Sequence, residues 1–472
     1  MELWRLDAAA LAEGYRSGAF TPAEALDACL ARVAECQPHL NAMAHVDRTG
    51  ARQAAGASRL RWARGKPLGP LDGVPVSLKD NLHAGGLPTT WGSRLLHGFV
   101  ARRDELPVAR LRAAGAVIFG KTTLPEFAMQ GYTGNLVTGV TRNPWNTALT
   151  PGGSSGGAAA SVAAGCGPLA LGTDGGGSIR RPASHCGLVG FKPSGGLVAR
   201  EGGVPEIYLD HEVVGALGRT VGDVAHVMQA LASPGLAPAQ AAPARILFAP
   251  RFGTHPVDAG IAAQAAEAAK RFEAMGHTVE EIQCFDLSEP LNALWSVLSC
   301  SGLAWMLGEA DHFAEFGLEP GQTPDISQCT QAIQDNLRDG LSGESAAMFE
   351  LLACMQKLRR ALDGVFASHD FILTPAAAAL PWAAEQTHPA QIAGHTVGPR
   401  GHAVYTAFAN AAGLPAMALP AGLVQGLPAG IQLVGRVGAD AQLLAMGQQY
   451  EQAHPWAGAW PVLPAAAPQP EP

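Results

Sequence analysis

The chain has 472 residues, of which 47% are hydrophobic and only 15% are charged, and its formal net charge is −8. This composition can supply a large apolar core and excludes an intrinsically disordered chain. No basic run is longer than a pair of residues, which argues against direct binding of a nucleic-acid backbone, because such binding needs clustered Lys and Arg. Charged residues interrupt positions 1–20, so no signal peptide is predicted, and we predict no association with a membrane.

The cysteine and histidine patterns limit the chemistry further. The eight cysteines are scattered without a Cys-x-x-Cys pair, and the fifteen histidines form no His-x-x-x-His pattern. So few cysteines in so long a chain do not resemble a disulfide scaffold, and reduced thiols indicate a cytoplasmic protein. The histidines suggest no metal site. We therefore predict neither a metal nor an organic cofactor.

Hydrophobic periodicity divides the chain into helices and strands that alternate over most of its length. In chain order we predict helices at 7–35 and 41–62, strand 74–78, helix 108–114, strand 116–119, a long loop at 131–157, a closely packed helix at 156–164, strand 169–172, helix 220–232, strand 245–249, helix 259–275, strand 278–282, mostly helical structure at 288–367, strand 371–373, helix 403–412, strands near 415–419 and 429–435, and helix 439–453. This alternation predicts an α/β fold in which helices cover both faces of a large mixed, mostly parallel sheet.

Two familiar motifs do not fit their surroundings. Residues 115–122 match the P-loop pattern G-x-x-x-x-G-K-T, but the apolar interior of the match predicts a core strand and not a flexible loop that wraps phosphate. Residues 152–157 contain G-x-S-x-G twice, the pattern of a nucleophile elbow. The preceding segment 143–151 is a loop sequence, however, and an elbow needs a buried strand there. We therefore predict neither nucleotide binding nor an α/β-hydrolase elbow.

A lysine closes a short apolar strand in Gly73-Val-Pro-Val-Ser-Leu-Lys79-Asp-Asn81. Poor solvation at such a position lowers the pKa of a lysine, which can then act as a general base. A lysine that merely extends its ammonium group to solvent from a strand end is the alternative interpretation.

Ser178 follows three successive glycines in Gly172-Thr-Asp-Gly-Gly-Gly-Ser178-Ile-Arg-Arg-Pro182. Unobstructed backbone N–H groups beside a serine are what an oxyanion hole needs in acyl transfer. A simple chain reversal, or a phosphate cradle favoured by the two arginines, are the alternatives. A nucleophilic serine also needs a base, and Lys79 acting through the serine loop at 152–157 is chemically sufficient.

Together these segments resemble the amidase signature family. The resemblance rests on Gly73–Asn81, Pro151–Gly157 and Gly172–Ala183. Lys79 and Ser154 stand 75 residues apart, and Ser154 and Ser178 stand 24 apart, as is typical of that family. Similar sequence motifs continue towards the C-terminus. The resemblance therefore covers most of the chain and leaves roughly 236–370 as its divergent part.

The resemblance implies the domain layout as well as the fold. It implies an α/β/α sandwich in a single amidase domain over 1–463, with the signature core at about 66–232. A variable helical region at about 285–367 is expected to shape the substrate pocket. The Ala- and Pro-rich residues 464–472 are predicted to form a mobile tail.

The resemblance also assigns a catalytic triad. It implies that Ser178 is the acylated nucleophile and that Ser154 relays its proton, after a cis peptide bond from Gly153. Lys79 would be the ultimate base, neutral in the resting enzyme. Ser155 would support the lysine.

The surroundings of the triad follow from the same resemblance. The backbone N–H groups of Gly175, Gly176, Gly177 and Ser178 would form the oxyanion hole. The resemblance implies that Asp174 and Arg180 brace the site without reacting.

Three positions bear on the substrate. Gly175 stands where many members of the family carry a side chain, so the pocket is expected to gain room. Arg181 stands where some members place an arginine against a substrate carboxylate, although pairing with a local acid such as Glu201 is the alternative. Met129 stands in a segment that lines the acyl side of the pocket in relatives, and ordinary core packing is the alternative there.

The function implied is that of an amidohydrolase, which hydrolyses linear carboxylic amides, and also esters or carbamates, through a Ser178 acyl-enzyme. We predict that it acts on a small-molecule amide, without nucleic acid or membrane, and the candidate assembly is a homodimer. The alternative is the glutaminase subunit of a tRNA-dependent amidotransferase. Lys-Pro-Ser194-Gly-Gly differs from the Lys-Pro-Thr-Tyr-Gly typical of that subunit, which favours the stand-alone enzyme. A non-enzymatic scaffold is disfavoured because all three reactive positions persist.

Overall fold

The computed structural model describes residues 2–203, 206–233, 235–237, 239–308 and 323–463. The predicted tail at 464–472 lies outside these residues. The same holds for part of the break in the helical region.

Helices and strands alternate along the described residues. The helices are α1 Ala8–Ser17, α2 Pro22–Leu40, α3 Arg48–Ala63, α4 Leu106–Ala113, α5 Gly156–Ala163, α6 Arg180–Cys186, α7 Val221–Leu231, α8 Ala259–Ala274, α9 Glu289–Gly308, α10 Gln331–Ser342, α11 Ser345–Phe366, α12 Ala407–Ala411 and α13 Asp440–Ala453. The strands are β1 Met43–Val46, β2 Pro75–Lys79, β3 Val117–Thr122, β4 Gly134–Asn135, β5 Gly139–Val140, β6 Leu169–Asp174, β7 Val189–Lys192, β8 Val213–Gly218, β9 Arg245–Phe248, β10 Thr278–Glu281, β11 Phe371–Pro375, β12 Gln391–Ile392, β13 His395–Thr396, β14 Ala416–Val424 and β15 Leu427–Gly435.

Eleven of these strands form one sheet in the order β1-β3-β2-β6-β8-β7-β14-β15-β11-β9-β10. The predicted large mixed sheet with flanking helices is therefore confirmed. Its strands are not mostly parallel, however. Parallel pairing is limited to β3-β2-β6 and β11-β9-β10, whereas every pair from β6 through β8, β7, β14 and β15 to β11 is antiparallel.

Two strands in the antiparallel centre of the sheet, β7 and β8, are not revealed by periodicity. Both β7 and β8 are buried at every position, so they lack the alternation of apolar and polar residues that marks a half-exposed strand. The β14–β15 hairpin turns at Gln425 and Gly426, where φ is +54° and +79°. Two residues with positive φ suit the tight turn that matches the twist of paired strands.

The N-terminal segment is more divided than predicted. The expected helix at 7–35 is broken at Gly18, which adopts a left-handed conformation, and α2 then starts with a capping box between Thr21 and Glu24. The expected helix at 41–62 begins only at Arg48, because Met43–Val46 forms β1, which pairs antiparallel with β3 at the edge of the sheet.

The fold excludes both of the motifs set aside above. Gly120, Lys121 and Thr122 lie within β3, so this segment is a buried strand and not a phosphate-binding loop. No strand precedes the serines at 154 and 155, which lie in a loop that leads into α5.

Two parallel neighbours of the sheet place the chemistry-bearing segments together. Val76 and Leu78 of β2 pack with Leu169 and Leu171 of β6 in the largest apolar cluster. The two strands run parallel, so their carboxyl ends, which carry Lys79 and the glycine turn, meet at the same edge.

One helical stretch, Asp286–Gly308, is long and apolar enough to cross a membrane by length and composition, with a mean hydropathy of 1.3. Half of its most apolar window is buried inside the protein. The helix packs against α10 and α11, as expected of a core helix.

Candidate active site

Lys79 ends β2 inside the protein and is surrounded by hydroxyl groups. Its Nζ lies 2.8 Å from Ser154 Oγ and 2.8 Å from Thr173 Oγ1. Asn81 donates to the same Thr173 hydroxyl at 3.0 Å. None of these partners is charged, and no carboxylate among the described residues forms an ion pair with Lys79. The lysine therefore has hydrogen-bond partners but no counterion.

The environment favours the neutral form of this lysine. Burial is the main cause that lowers the pKa of Lys79 to about 7, while the carboxylates of Glu212 and Asp174 oppose the shift. Arg200 and Arg181 lower this pKa further through charge repulsion. A pKa near 7 is suitable for a general base at neutral pH, because a large fraction of the amine is then free to accept a proton.

The loop that carries the two serines is fixed in an unusual conformation. The peptide bond between Gly153 and Ser154 is cis, as the resemblance implied. Ser155 N–H donates to the carbonyl of Ser178 at 3.1 Å, and Ser155 Oγ donates to the carbonyl of Thr173 at 3.2 Å. Ser155 therefore joins the serine loop to both ends of the glycine turn.

Ser178 lies at the surface of a cavity and is 8% exposed. Among the described contacts, no hydrogen bond joins its Oγ to Ser154 Oγ. The chain from Lys79 to Ser154 is thus formed, and the last link to Ser178 is open in this conformation. Catalytic hydrogen bonds are often long before substrate binds.

Asp174 organises the glycine turn. Its carboxylate accepts hydrogen bonds from the N–H groups of Gly176 at 3.2 Å, Gly177 at 2.6 Å and Ile179 at 3.1 Å. Burial by itself would raise the pKa of Asp174, but the guanidinium of Arg180 outweighs burial and holds that pKa well below its usual range. The carboxylate is therefore charged and fixes the turn beside Ser178.

This arrangement changes the expected oxyanion hole. The N–H groups of Gly176 and Gly177 point to Asp174, so they are not free donors. No described hydrogen bond occupies the N–H of Gly175 or of Ser178. These two N–H groups therefore remain without a described acceptor beside the cavity. Gly175 does not add room as expected, because a Cβ there would lie 3.1 Å from the ring of Tyr208.

Arg180 braces the turn from behind. Its Nε and Nη2 donate to Asp174 at 2.9 and 2.8 Å. The remaining hydrogen bonds reach the carbonyl of Thr406 at 3.0 Å and the side-chain oxygens of Asn410 at 2.6 Å and Gln432 at 2.5 Å. Each N–H of this fully buried guanidinium thus has an acceptor, which satisfies a buried charge.

A cavity of about 1220 Å³ opens over Ser178. Its walls come from the glycine turn, from residues 128–131, from α9 and α10, and from the loop at 393–404. The two helices lie within the region predicted to shape the pocket. Met129 stands in the wall and is also packed against the neighbouring apolar cluster. It therefore both lines the cavity and belongs to ordinary core packing.

Arg181 is buried and faces the same cavity. It forms no ion pair with Glu201 or with any other described acid. Its Nη1 donates to the carbonyl of Gly176 and to Thr406 Oγ1, and its Nη2 donates to the carbonyl of Gly153 at 3.3 Å. Arg181 therefore ties the serine loop to the glycine turn. Burial lowers its pKa to about 9.

Sequence reasoning missed several residues of this site. Thr173 holds Lys79. Three residues beyond position 400 help to hold Arg180 or Arg181, namely Thr406, Asn410 and Gln432. Tyr208, Arg400 and His402 line the cavity but belong to no motif. Of these residues, only Thr173 could have been found from the sequence, because it stands within the glycine-rich segment itself.

Comparisons with known proteins extend over most of the chain. A family model described as Amidase matches residues 24–444. One subunit of the glutamyl-tRNA(Gln) amidotransferase of Symbiobacterium thermophilum is 34% identical over 95% of this chain and 96% of its own length. The corresponding protein from a Synechococcus strain is 35% identical over 93% and 94%.

These relatives overturn one expectation. The sequence predicted a chain that acts on a small-molecule amide without nucleic acid, with a homodimer as its candidate assembly. The relatives are, by name, one subunit of an amidotransferase for glutamyl-tRNA(Gln), so the prediction of a chain that acts without other partners is wrong.

A solved structure extends the likeness to the fold. A bacterial aryl acylamidase of the amidase signature family superposes with a TM-score of 0.86 at 28% identity, over 96% of this chain and 97% of that one. Similarity of sequence and of fold thus spans nearly the full length. The chain belongs to the amidase signature family.

Proposed function

We propose that this chain cleaves amide C–N bonds through an acyl-enzyme on Ser178. The observation that carries the proposal is the hydrogen bond of 2.8 Å between the buried Nζ of Lys79 and Ser154 Oγ, beside a serine that opens into a large cavity. A buried lysine without a counterion can act as a base, and a hydroxyl between that base and a second serine can relay a proton.

The reaction follows from these groups. Neutral Lys79 accepts the proton of Ser154 as Ser154 accepts that of Ser178, whose oxygen attacks the carbonyl carbon. The N–H groups of Gly175 and Ser178 stabilise the oxyanion. The relay then returns the proton to the nitrogen as the C–N bond breaks. Water attacks the resulting ester by the same route and releases the acid.

The relatives suggest which amide is cleaved. Because this chain is 34–35% identical to one subunit of glutamyl-tRNA(Gln) amidotransferases, we infer that it serves as the glutaminase subunit of a tRNA-dependent amidotransferase. It would release ammonia from glutamine for its partner subunits. All eight cysteines are free, which suits the reducing cytoplasm in which such an assembly would work.

A second candidate is an amidohydrolase for larger linear amides. The size of the cavity favours it, since about 1220 Å³ exceeds what glutamine fills and is above the usual range of small-ligand pockets. The solved structure with a TM-score of 0.86 is an aryl acylamidase, which agrees with this candidate.

The test of the mechanism is Ser178→Ala. We expect hydrolysis to fall to background and a fluorophosphonate probe to lose its labelling site, because Ser178 lies at the cavity and its carbonyl is bonded to the serine loop that carries the relay. Ser161→Ala is the matched control, since that buried hydroxyl bonds only within α5, to the carbonyl of Ala158. Full amide hydrolysis by Ser178→Ala would disprove the mechanism.

The two candidate substrates are separated by rates. Ammonia release from glutamine and amine release from an acyl anilide are measured on the same preparation, with and without an amidotransferase partner preparation. A preference for glutamine that grows with the partner supports the glutaminase role. A preference for the anilide over glutamine supports the amidohydrolase.

A further inference from the structure

The two arginines at the cavity differ in what they contact. Arg181 directs both terminal nitrogens to backbone carbonyls and to the hydroxyl of Thr406. Arg400 also lines the cavity, but its side chain forms no hydrogen bond or ion pair with any residue that the structure describes. Its Nε and Nη2 are out of contact with solvent and have no partner. The protein thus engages both terminal nitrogens of Arg181, whose Nε alone has no partner, whereas no donor of the Arg400 guanidinium has a described partner.

Arg400 is half-buried, but two of its donors are unpaired and out of contact with solvent, which is an unfavourable arrangement. Burial removes water from the charge, and without an anion nothing in the protein replaces that water. Burial accordingly lowers the pKa of Arg400, and the phenol of Tyr208 is the only described ionisable group that counteracts this. A guanidinium also presents paired N–H donors in the geometry of a carboxylate. We therefore expect a ligand to supply the anionic group that pairs with the Arg400 guanidinium.

The neighbours of Arg400 support an anion at this place. Arg181 is close enough for the two positive charges to affect one another. His402, two residues further along the same loop, is buried with both ring nitrogens unpartnered. Three nitrogen-bearing side chains thus surround one part of the cavity. Four carboxylates also line the cavity, those of Glu212, Glu289, Asp335 and Asp339. None of them belongs to this loop, and none forms a described ion pair with Arg400.

We propose that Arg400 binds a carboxylate of the amide substrate and thereby sets substrate choice. The inference rests on the proposed amide cleavage at Ser178 and names the class of amide, which is one that carries a negative charge. Arg181 is a positioning residue in this scheme, since its donors hold the serine loop against the glycine turn. Glutamine, whose α-carboxylate is free, falls within the class, and so does an N-acyl amino acid.

The test compares charged and neutral substrates in Arg400→Met. One pair is glutaramate and glutaramide, in which the charged member carries its carboxylate on the acyl side of the scissile bond. The other pair is N-benzoylglycine and N-benzoylglycinamide, in which the charged member carries it on the amine side. We expect KM for the charged member of one pair to rise about tenfold or more, as a lost hydrogen bond to a charged group implies. KM for its neutral partner should change less than twofold, and kcat should change little.

Two further variants control for side effects. Arg251 is exposed and lines the same cavity, so Arg251→Met removes a nearby positive charge and should leave the ratio of the two KM values unchanged. Arg400→Lys keeps the charge and should restore part of the preference. Equal effects of Arg400→Met on charged and neutral members of both pairs, or no effect on either, would overturn the proposal.

A binding measurement separates this proposal from the catalytic one. Glutarate and N-benzoylglycine are titrated by calorimetry into Ser178→Ala and into the same protein with Arg400→Met. Weaker binding of one anion in the double variant supports the role of Arg400 whatever the rate of hydrolysis. If both anions bind equally well with and without Arg400, while hydrolysis still depends on Ser178, the anion site is refuted and the proposed amide cleavage is not.

Discussion

At the scale of single residues, the partners of a buried lysine distinguish a base from a structural cation. Lys79, Lys121 and Lys192 are all buried. Lys121 lies 3.2 Å from Asp80 in an ion pair, whereas Lys192 donates to the carbonyl of Pro193 at 2.8 Å. Only Lys79 hydrogen-bonds to a serine hydroxyl beside the cavity. Burial lowers the pKa of both Lys79 and Lys192 to about 7, so position and not pKa identifies the base.

The pH dependence of activity follows from Lys79. Because the neutral amine is the active form, kcat/KM should rise with pH and level off above a midpoint near 7. Lys79→Ala should lose about 10²- to 10⁴-fold in amide hydrolysis, and the loss should shrink at high pH, where hydroxide replaces the base.

The matched control for this prediction is Lys192→Met, which removes the other buried lysine with a lowered pKa. The rise of kcat/KM near pH 7 should persist in that variant. Persistence of the same rise in Lys79→Ala would show that another group titrates.

At the scale of secondary-structure elements, the sequence predicted the segments of the site better than their supports. Lys79 and the glycine turn were found because unusual residues stand close together in the chain. Thr406, Asn410 and Gln432 were not found, because they contact Arg180 across more than 220 positions, and no local pattern records such a distance. The strands β7 and β8 were missed for the related reason that burial on both faces removes periodicity, and the sheet was then taken as mostly parallel.

The glycine turn is expected to depend on one buried ion pair. Asp174→Asn leaves the guanidinium of Arg180 without a counter-charge, and breaking a buried pair from one side costs about 3–5 kcal/mol. We expect the urea midpoint to fall accordingly and activity to be lost, since the turn also orients Ser178. The exposed pair of Glu13 and Arg16 is the control, and Glu13→Gln should leave the midpoint unchanged. An equally small effect of Asp174→Asn would show that the pair does not hold the turn.

At the scale of the whole molecule, the two ends of the described chain each contact α7 through a carboxylate, one buried and one half-buried. Asp223 of α7 accepts from the N–H of Ala8 in α1 at 2.7 Å, and Glu451 of α13 accepts from the N–H of Val221 at 3.0 Å. One oxygen of each carboxylate has no partner. Burial raises the pKa of Asp223 and of Glu451 to about 7, because few groups compensate the lost water.

These raised pKa values predict how stability changes with pH. Between about pH 4, where an unfolded carboxyl titrates, and pH 7, where these titrate in the folded protein, the folded state binds more protons. Their contribution therefore stabilises the fold at low pH and is lost as pH rises to 7. In Asp223→Asn, which cannot ionise, the melting temperature should fall less between pH 5 and pH 8 than in the wild type.

Glu451→Gln should shift the pH dependence in the same direction. Glu273→Gln, at an exposed position of α8, should not. A melting temperature that depends on pH as strongly in Asp223→Asn as in the wild type would contradict this assignment.

The walls of the cavity have a consequence for how such enzymes diversify. The reacting groups come from β2, the serine loop and the end of β6, whereas much of the wall comes from α9, α10 and the loop at 393–404. Chemistry and selectivity are thus encoded in separate stretches of the gene. Recombination or directed mutagenesis confined to the cavity wall can change the substrate of the enzyme while the reacting groups stay the same. Arg400 is the first position at which such a library should be varied.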